Sequence, residues 1–293
     1  MNQPDDVRKT VSDAYTRAVQ SGASTGGSCC CGPAPENILA TLAGYSREAL
    51  ATLPSDAVAH SFGCGNPVAL AEIREGDTVL DLGSGAGIDL LLAGKLVGPQ
   101  GRVIGVDMTA AMVERARANA TAAGLSNIEA REGIIEDLPV EPNSVDLVIS
   151  NCVINLSPEK KRVFAELHRV LRPGGRISIS DIVAETMPPW VQKLGLLYSA
   201  CISGAIPEDA YLEGLREAGL VDVEVRDRLI YDRSQLAGLI DSSTPGSCCC
   251  GSDSLPKQEV ARVAEALAGS VASIRVVGRK PGGGTAHDEG SRS

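Results

Sequence analysis

The residues best able to do chemistry fall into two sets, an acid-and-glycine turn and a group of cysteines. The turn is VLDLGSGAGID, where a strand ends at Asp81 and passes through Gly83, Ser84, Gly85 and Gly87 into a helix. Glycines there let the backbone approach a ligand closely at the carboxyl end of a strand. A dinucleotide fingerprint would place its third glycine at position 88, where Ile88 stands, and the acid before the first glycine would repel a pyrophosphate. Asp81 suits a cationic ligand instead, such as a sulfonium carrying an amino-acid ammonium. Further along, Asp107 ends the second strand in GVDM, where one carboxylate can accept from both hydroxyls of a ribose. Met108 is placed to pack on adenine. In GIIEDLP, Ile135 and Glu136 suit an adenine sandwich and bonds to nearby amides, and Asn151 at the end of a later strand completes the cofactor-binding set.

The cysteines number nine, an odd count at irregular spacing, which argues against a disulfide framework and for free thiols, soft-metal ligands or redox groups. Cys152 lies in SNCVINL, directly after a strand, at the edge where ligands of doubly wound sheets sit. Cys201 lies in YSACISGAIP, within a helical stretch from Pro189 to Gly219 that would wall the cofactor. Cys64 lies in SFGCGNPVAL, before a helix capped by Asn66 with Pro67 first, where a helix N-terminus favours thiolate. Any one of the three reads more simply as a small buried hydrophobe. Their turn-like, small polar flanks weaken that reading for the three together. Zinc wants CxxC pairs or histidines, and His60, His168 and His287 are the only histidines.

Two further cysteine groups, Cys29 to Cys31 and Cys248 to Cys250, occupy a repeated GSCCCG. Capture of a soft metal and exposed thiols of no catalytic weight both remain open for these loops. His168 reads as a packing or surface residue, the PEKKR run at 158–162 as a helix start with a solvated face, and Trp190 as lid packing.

These residues need elements to position them. Val7, Val11, Tyr15 and Val19 form one apolar stripe on a helix from Asp5 to Gln20, and 21–35 reads as a Gly/Ser/Cys/Pro loop. Strands are expected at Thr78–Leu82, Arg102–Val106, Ile128–Arg131, Val145–Ser150 and Arg176–Asp181. Helices are expected at Ile88–Leu96, Ala110–Ala123 and Pro158–Val170, with LRPGG making the tight turn into the fifth strand. This alternation demands a parallel sheet with helices on both faces, an α/β doubly wound, Rossmann-like class. A strand at Val221–Leu229, a Ser/Pro/Gly/Cys loop at 242–254, a helix and a strand at Ser273–Arg279 follow, the two strands pairing antiparallel. The implied division is an N-terminal cysteine-bearing extension at 1–72, a cofactor-binding core at 73–184, a lid with C-terminal strands at 185–281 and a disordered tail at 282–293.

Composition narrows the classes. The 293 residues are 43% hydrophobic and 22% charged, a globular balance, and the formal charge of −10 argues against binding nucleic acid. No apolar run suits a membrane span and MNQPDDVRKT lacks a secretory pattern, so a cytoplasmic protein is expected.

The ordered motifs from about residue 70 to 184 resemble the class I S-adenosylmethionine-dependent methyltransferases. With DVRKTVSDAYTRAV, SFGCGNP, VDMT, SNCVINLSPEKKRVFAELHRVLRPGG and ACISGAIPEDAY added, the chain resembles the arsenite methyltransferase family. That resemblance implies S-adenosylmethionine as cofactor, arsenite and methylarsenite as substrates in arsenic detoxification, and thioredoxin or glutathione as reductant. It implies Cys64, Cys152 and Cys201 as thiolate ligands of As(III), joined by one of Cys29, Cys30 and Cys31. A methyltransferase for a small organic acceptor and a non-enzymatic metalloid-binding protein are the competing readings.

Overall fold

The computed structural model describes residues 4–21, 44–59, 63, 65–192, 194, 201–243 and 255–282. Of the loops expected at 21–35 and 242–254, Ser21 and residues 242–243 close helices instead, and the rest, with the tail from 283 and with Cys29, Cys30, Cys31, Cys64, Cys248, Cys249, Cys250, His60 and His287, lies outside these residues. One seven-stranded sheet organises the rest, in the order β3-β2-β1-β4-β5-β7-β6. Its strands are β1 (Thr78–Leu82), β2 (Arg102–Asp107), β3 (Ile128–Glu132), β4 (Val145–Asn151), β5 (Leu171–Ala184), β6 (Val221–Ile230) and β7 (Val271–Arg279). The first five are parallel, whereas β7 runs antiparallel to both β5 and β6.

Side chains alternate across a strand, and that period sorts the core into two faces. Leu80, Leu82, Ile104, Val106 and Val148 face one side. There they meet Val163, Phe164 and Leu167 of one helix (Lys160–Val170) and Tyr211, Leu212 and Leu215 of another (Glu208–Glu217). Val79, Val103, Leu147 and Ile149 face the other side, against Leu90, Ala93, Val113 and Ala116 of the helices Ile88–Leu96 and Ala110–Ala122. In order, the helices that matter below are α1 (Pro4–Ser21), α2 (Arg47–Ala51), α3 (Ser55–Ala59), α4 (Ile88–Leu96), α5 (Ala110–Ala122), α6 (Lys160–Val170), α7 (Pro189–Gln192), α8 (Glu208–Glu217), α9 (Arg233–Ser243) and α10 (Lys257–Leu267). None among the described residues is long and apolar enough to cross a membrane.

Four expectations change. Helix α6 begins at Lys160, with Glu159 in the N-cap position, two residues later than the sequence suggests. Strand β5 is longer at both ends, and the chain loops out through Pro173, Gly174 and Gly175 between two pairings, Leu171 with Val145 and Arg176 with Leu147. LRPGG is therefore a bulge inside β5 rather than a turn before it. Among the described residues of the stretch expected to be helical at Pro189–Gly219, only α7 and α8 are α-helical; Gly204 and Pro207 lie in the non-helical segment before α8, and Cys201 sits in a turn. Helix α9 was not foreseen; its sequence carries Gly238 and several serines, and it stands on the burial of Leu236 and Ile240.

The β5 face rests on Phe164, which is buried and set edge-on to Tyr211 with ring centroids 5.4 Å apart. Phe164→Ala should destabilise the protein by about 3–5 kcal/mol, the range for emptying a buried aromatic site. Urea unfolding measures this, and a loss under about 1 kcal/mol would mean that the face collapses onto the cavity.

Candidate active site

The turn after β1 opens a cleft at the carboxyl ends of β1, β2 and β4, lined by Asp81, Gly83, Gly85, Asp107, Ile135 and Cys152 among others. Gly83, Gly85 and Gly87 take φ of +62°, +51° and +98°, the left-handed region in which a side chain is strained. At Gly83 a Cβ would also stand 2.3 Å from Val153 Cγ2, so this glycine is required twice over. The Gly83 and Ser84 amides both donate to the Val106 carbonyl, tying the turn to the end of β2.

Asp81 is buried, and its Oδ2 has no hydrogen-bond partner. Burial pushes its carboxyl well above the usual carboxylate range, and the neighbouring Asp89 and Asp107 push it further. Asp107 accepts the Gly85 amide at 3.0 Å and the Thr109 amide at 2.8 Å; burial raises its pKa and those amides partly offset the rise. Met108, Ser84, Ile135, Glu136 and Asn151 line the same cleft, so the sequence-derived cofactor set does converge on one place.

Further residues complete it. Asp89, the second residue of α4, is buried, and its pKa rises to about 6 through desolvation against the hydrogen bonds of Tyr45 and Asn151. Tyr45 donates to Asp89 at 2.7 Å. The Asn151 amide group reaches the Tyr45 hydroxyl at 2.9 Å, the Gly65 carbonyl at 2.6 Å and Asp89 at 3.1 Å. Asn151 thus ties the end of β4 to Gly65. Arg8 of α1 reaches across to Glu136 at 3.2 Å and also pairs with Glu159, and Tyr15 of the same helix lines the cleft. Glu136 was expected to bond amides; it accepts from Arg8 and, at 2.6 Å, from the Ser157 hydroxyl. Asp89 was visible as the last letter of GAGID; Tyr45 and Arg8, remote in sequence, were not.

Of the cysteines expected to act together, Cys152 and Cys201 are described, and they meet. Both are buried in one apolar cluster with Leu156, Ile182, Ile202 and Tyr231, and the Cys201 thiol donates to the Cys152 carbonyl. Cys152 takes φ +56° and Cys201 φ +58°, uncommon for any residue but glycine, asparagine or aspartate. Such strain persists only where the surroundings over-determine it. Cys201 is a free thiol, and desolvation pushes its pKa well up; Asp181 adds to the rise while Lys160 opposes it. Cys152 departs from the free-thiol expectation, since it is engaged in a disulfide. Asn66 caps the short helix Pro67–Leu70 by accepting the Ala69 amide at 3.0 Å, as the sequence led us to expect.

The remaining expectations divide. Trp190 does pack beside the cysteine cluster, with the Arg262 guanidinium 4.4 Å from its ring centre. His168 is a packing residue, seated 3.2 Å from where a Cβ on Gly219 would lie. The PEKKR run is only partly solvated: Lys161 and Arg162 are exposed, whereas Lys160 turns inward.

A seven-stranded sheet with its last strand antiparallel, a glycine turn after β1 and an acid at the end of β2 together define a class I methyltransferase. Residues 73–219 match the methyltransferase domain family. The arsenite methyltransferase of Halobacterium salinarum is 43% identical over 232 residues, 76% of this chain and 59% of the relative. That of Mus musculus is 34% identical over 215 residues, 69% of this chain and 54% of the relative. The structure of an arsenic(III) S-adenosylmethionine methyltransferase from Chlamydomonas reinhardtii superposes with a TM-score of 0.62 at 34% identity, covering 86% of this chain and 75% of that one. The chain belongs to the arsenite methyltransferase family. It spans little more than half the length of these two curated relatives.

Because the folded state raises the Asp81 pKa, that group stabilises the fold only while protonated. Its contribution is lost as pH rises from the ordinary carboxylate range toward the raised value. Asp81→Asn should therefore stabilise the ligand-free protein by about 1–3 kcal/mol at pH 8 and by much less near pH 4.5. Urea midpoints at the two pH values decide it; an equal or smaller gain at pH 8 would mean that the charge is already compensated.

Proposed function

We propose that this protein methylates trivalent arsenic held by cysteine thiolates, using S-adenosylmethionine as methyl donor, in arsenic detoxification. The observation that carries the reading is the pairing of two strained, buried cysteines with a cofactor cleft whose acidic end holds an unpartnered carboxylate oxygen. The kinship with arsenite methyltransferases supports it.

The cleft fits the cofactor. Asp81 Oδ2 would meet the cationic part, and the positive-φ glycines leave the backbone open to close approach. Asp107, its two oxygens already oriented by the Gly85 and Thr109 amides, would accept the ribose hydroxyls. Met108 and Ile135 would pack on adenine. Glu136 would act through its fixed position beside Arg8 and Ser157. When bound, S-adenosylmethionine supplies an electrophilic methyl whose bonding pair leaves with sulfur.

The thiols would do the rest. Arsenite exchanges its hydroxyls for thiolates, each thiol proton leaving with a hydroxide as water. Cys152 and Cys201, with a third thiolate drawn from Cys64 or from one of Cys29 to Cys31, would hold arsenic in a pyramid with its lone pair toward the methyl. No general base is needed, so alignment carries the rate, worth on the order of 7–11 kcal/mol. Transfer raises arsenic from the trivalent to the pentavalent state, and two thiols joining as a disulfide return the two electrons for another round. Since Cys152 stands in a disulfide here, it must be reduced before it can ligate, which fits a thiol reductant such as glutathione or thioredoxin.

Turnover with arsenite, S-adenosylmethionine and a thiol reductant should yield methylated arsenicals from the wild type and at most about 1% of that rate from Cys152→Ser or Cys201→Ser. Chromatographic speciation of the arsenic products reads the result. If the serine variants keep most of the activity toward an organic acceptor and the wild type makes no methylarsenical, the thiols are incidental. The cofactor arm is separate: Asp81→Asn should weaken S-adenosylmethionine binding by about tenfold or more, measured calorimetrically. Unchanged affinity would remove Asp81 from the cofactor's cationic end.

A further inference from the structure

The turns that carry Cys152 and Cys201 are built on the same short piece of chain, residues 180–184 at the end of β5. The Cys152 amide donates to the Ser180 carbonyl at 2.8 Å. Three residues on, the buried Asn155 folds back over the strand, its side-chain amide donating to the Asp181 carboxylate at 2.9 Å and to the Ile182 carbonyl. That carboxylate is itself fixed, accepting the Tyr211 hydroxyl at 3.1 Å and the Ile182 amide at 2.9 Å. The Cys201 turn joins at the next point along, where the Ala184 amide donates to the Ile206 carbonyl at 3.1 Å.

Above this common base the two turns meet backbone to backbone. At Gly204, three residues after Cys201, a Cβ would stand 2.0 Å from the Asn155 carbonyl oxygen. That carbonyl also accepts the Lys160 ammonium at 3.3 Å, so it is not free to yield. Gly204 lies outside the left-handed region that Gly83, Gly85 and Gly87 occupy, so what demands glycine there is the close approach alone. The same closeness lays the Cys201 thiol on the Cys152 carbonyl. Neither Asn155 nor Gly204 is among the residues lining the cofactor cleft, whereas Cys152 is.

We propose that Asn155 and Gly204 are positioning residues of the arsenic site. Asn155 seats the Cys152 turn on the end of β5, and the bare Cα of Gly204 lets the Cys201 turn close onto it, so that the two sulfurs stand within the span of one arsenic. The inference rests on the reading of Cys152 and Cys201 as arsenic ligands. A close-packed interior passes a shift of one turn on to its neighbour. Two thiols set for a common atom then lose their joint advantage while each remains reactive alone, because the second bond forms at the effective concentration that their spacing sets.

The test uses the reduced full-length protein and phenylarsine oxide, whose arsenic keeps its phenyl group and takes two thiolates, the oxygen leaving as water with the two thiol protons. The readout is the phenylarsine oxide concentration that half-protects Cys201 from iodoacetamide, followed by peptide mass spectrometry. That concentration should rise about tenfold or more in Gly204→Ala and in Asn155→Ala. Without arsenical, alkylation of Cys201 needs one thiol only and should not fall below about a third of the wild-type rate. S-adenosylmethionine affinity should stay within about twofold. Wild-type protection in either variant would overturn the proposal. A loss of S-adenosylmethionine affinity in step with protection would overturn it too, assigning the contact to the fold at large, as would a larger fall in alkylation, which places the defect on the thiol itself. A wild-type Cys201 that phenylarsine oxide never protects overturns instead the arsenic reading on which the inference stands.

Discussion

Asp81 keeps one carboxylate oxygen buried and without a donor, at a point where two more carboxylates, Asp89 and Asp107, add to its repulsion. Left alone this arrangement costs stability, because a desolvated charge finds no water and no partner. The surroundings manage the cost without removing it. The turn puts the Gly85 and Thr109 amides on Asp107, and Tyr45 and Asn151 put a hydroxyl and an amide on Asp89. What stays unanswered is one oxygen, facing a cleft. Deficits of this kind collect where a fold gives up stability for binding, and here the missing group is a cation.

The second constraint is conformational. Two cysteines in the left-handed region, one at the end of β4 and one in the turn before α8, are strained, and what holds them is specific. The Cys152 amide donates to the Ser180 carbonyl at 2.8 Å, which fixes it to β5, while the Cys201 thiol bonds to the Cys152 carbonyl. A small buried hydrophobe needs none of this. Packing alone would be served by alanine or valine in relaxed backbone, so the strain itself weighs against the incidental reading of these thiols.

Much of this was legible in the sequence, for physical reasons. Strands β1, β2 and β4 are short apolar runs bounded by turn residues, and a helical period cannot mimic that for long. Asp81, the turn glycines and Asp107 were legible because backbone geometry restricts what can stand there. The 189–219 stretch was not, since a helical period persists in the letters although Gly204 and Pro207 lie in a non-helical segment. Helix α9 was missed because its glycine and serines carry little propensity and its stability comes from tertiary burial of Leu236 and Ile240. Tyr45 and Arg8 act across 44 and 128 residues of chain respectively, on Asp89 and on Glu136, and nothing local marks a partner so far away. Lys160 was misread for a related reason: three adjacent cations look alike in sequence, and only the helix phase separates the one that turns inward.

The two ends of the site then differ in kind, and the difference fits the chemistry assigned to them. The end near β1 is polar and short of positive charge, the environment that a sulfonium and an ammonium stabilise. The end near Cys152 and Cys201 is apolar, walled by Leu156, Ile182, Ile202 and Tyr231. An arsenic bound by three thiolates is neutral overall and soft, so an apolar wall costs it little, and excluding water there protects the lone pair and the methyl from competing solvent.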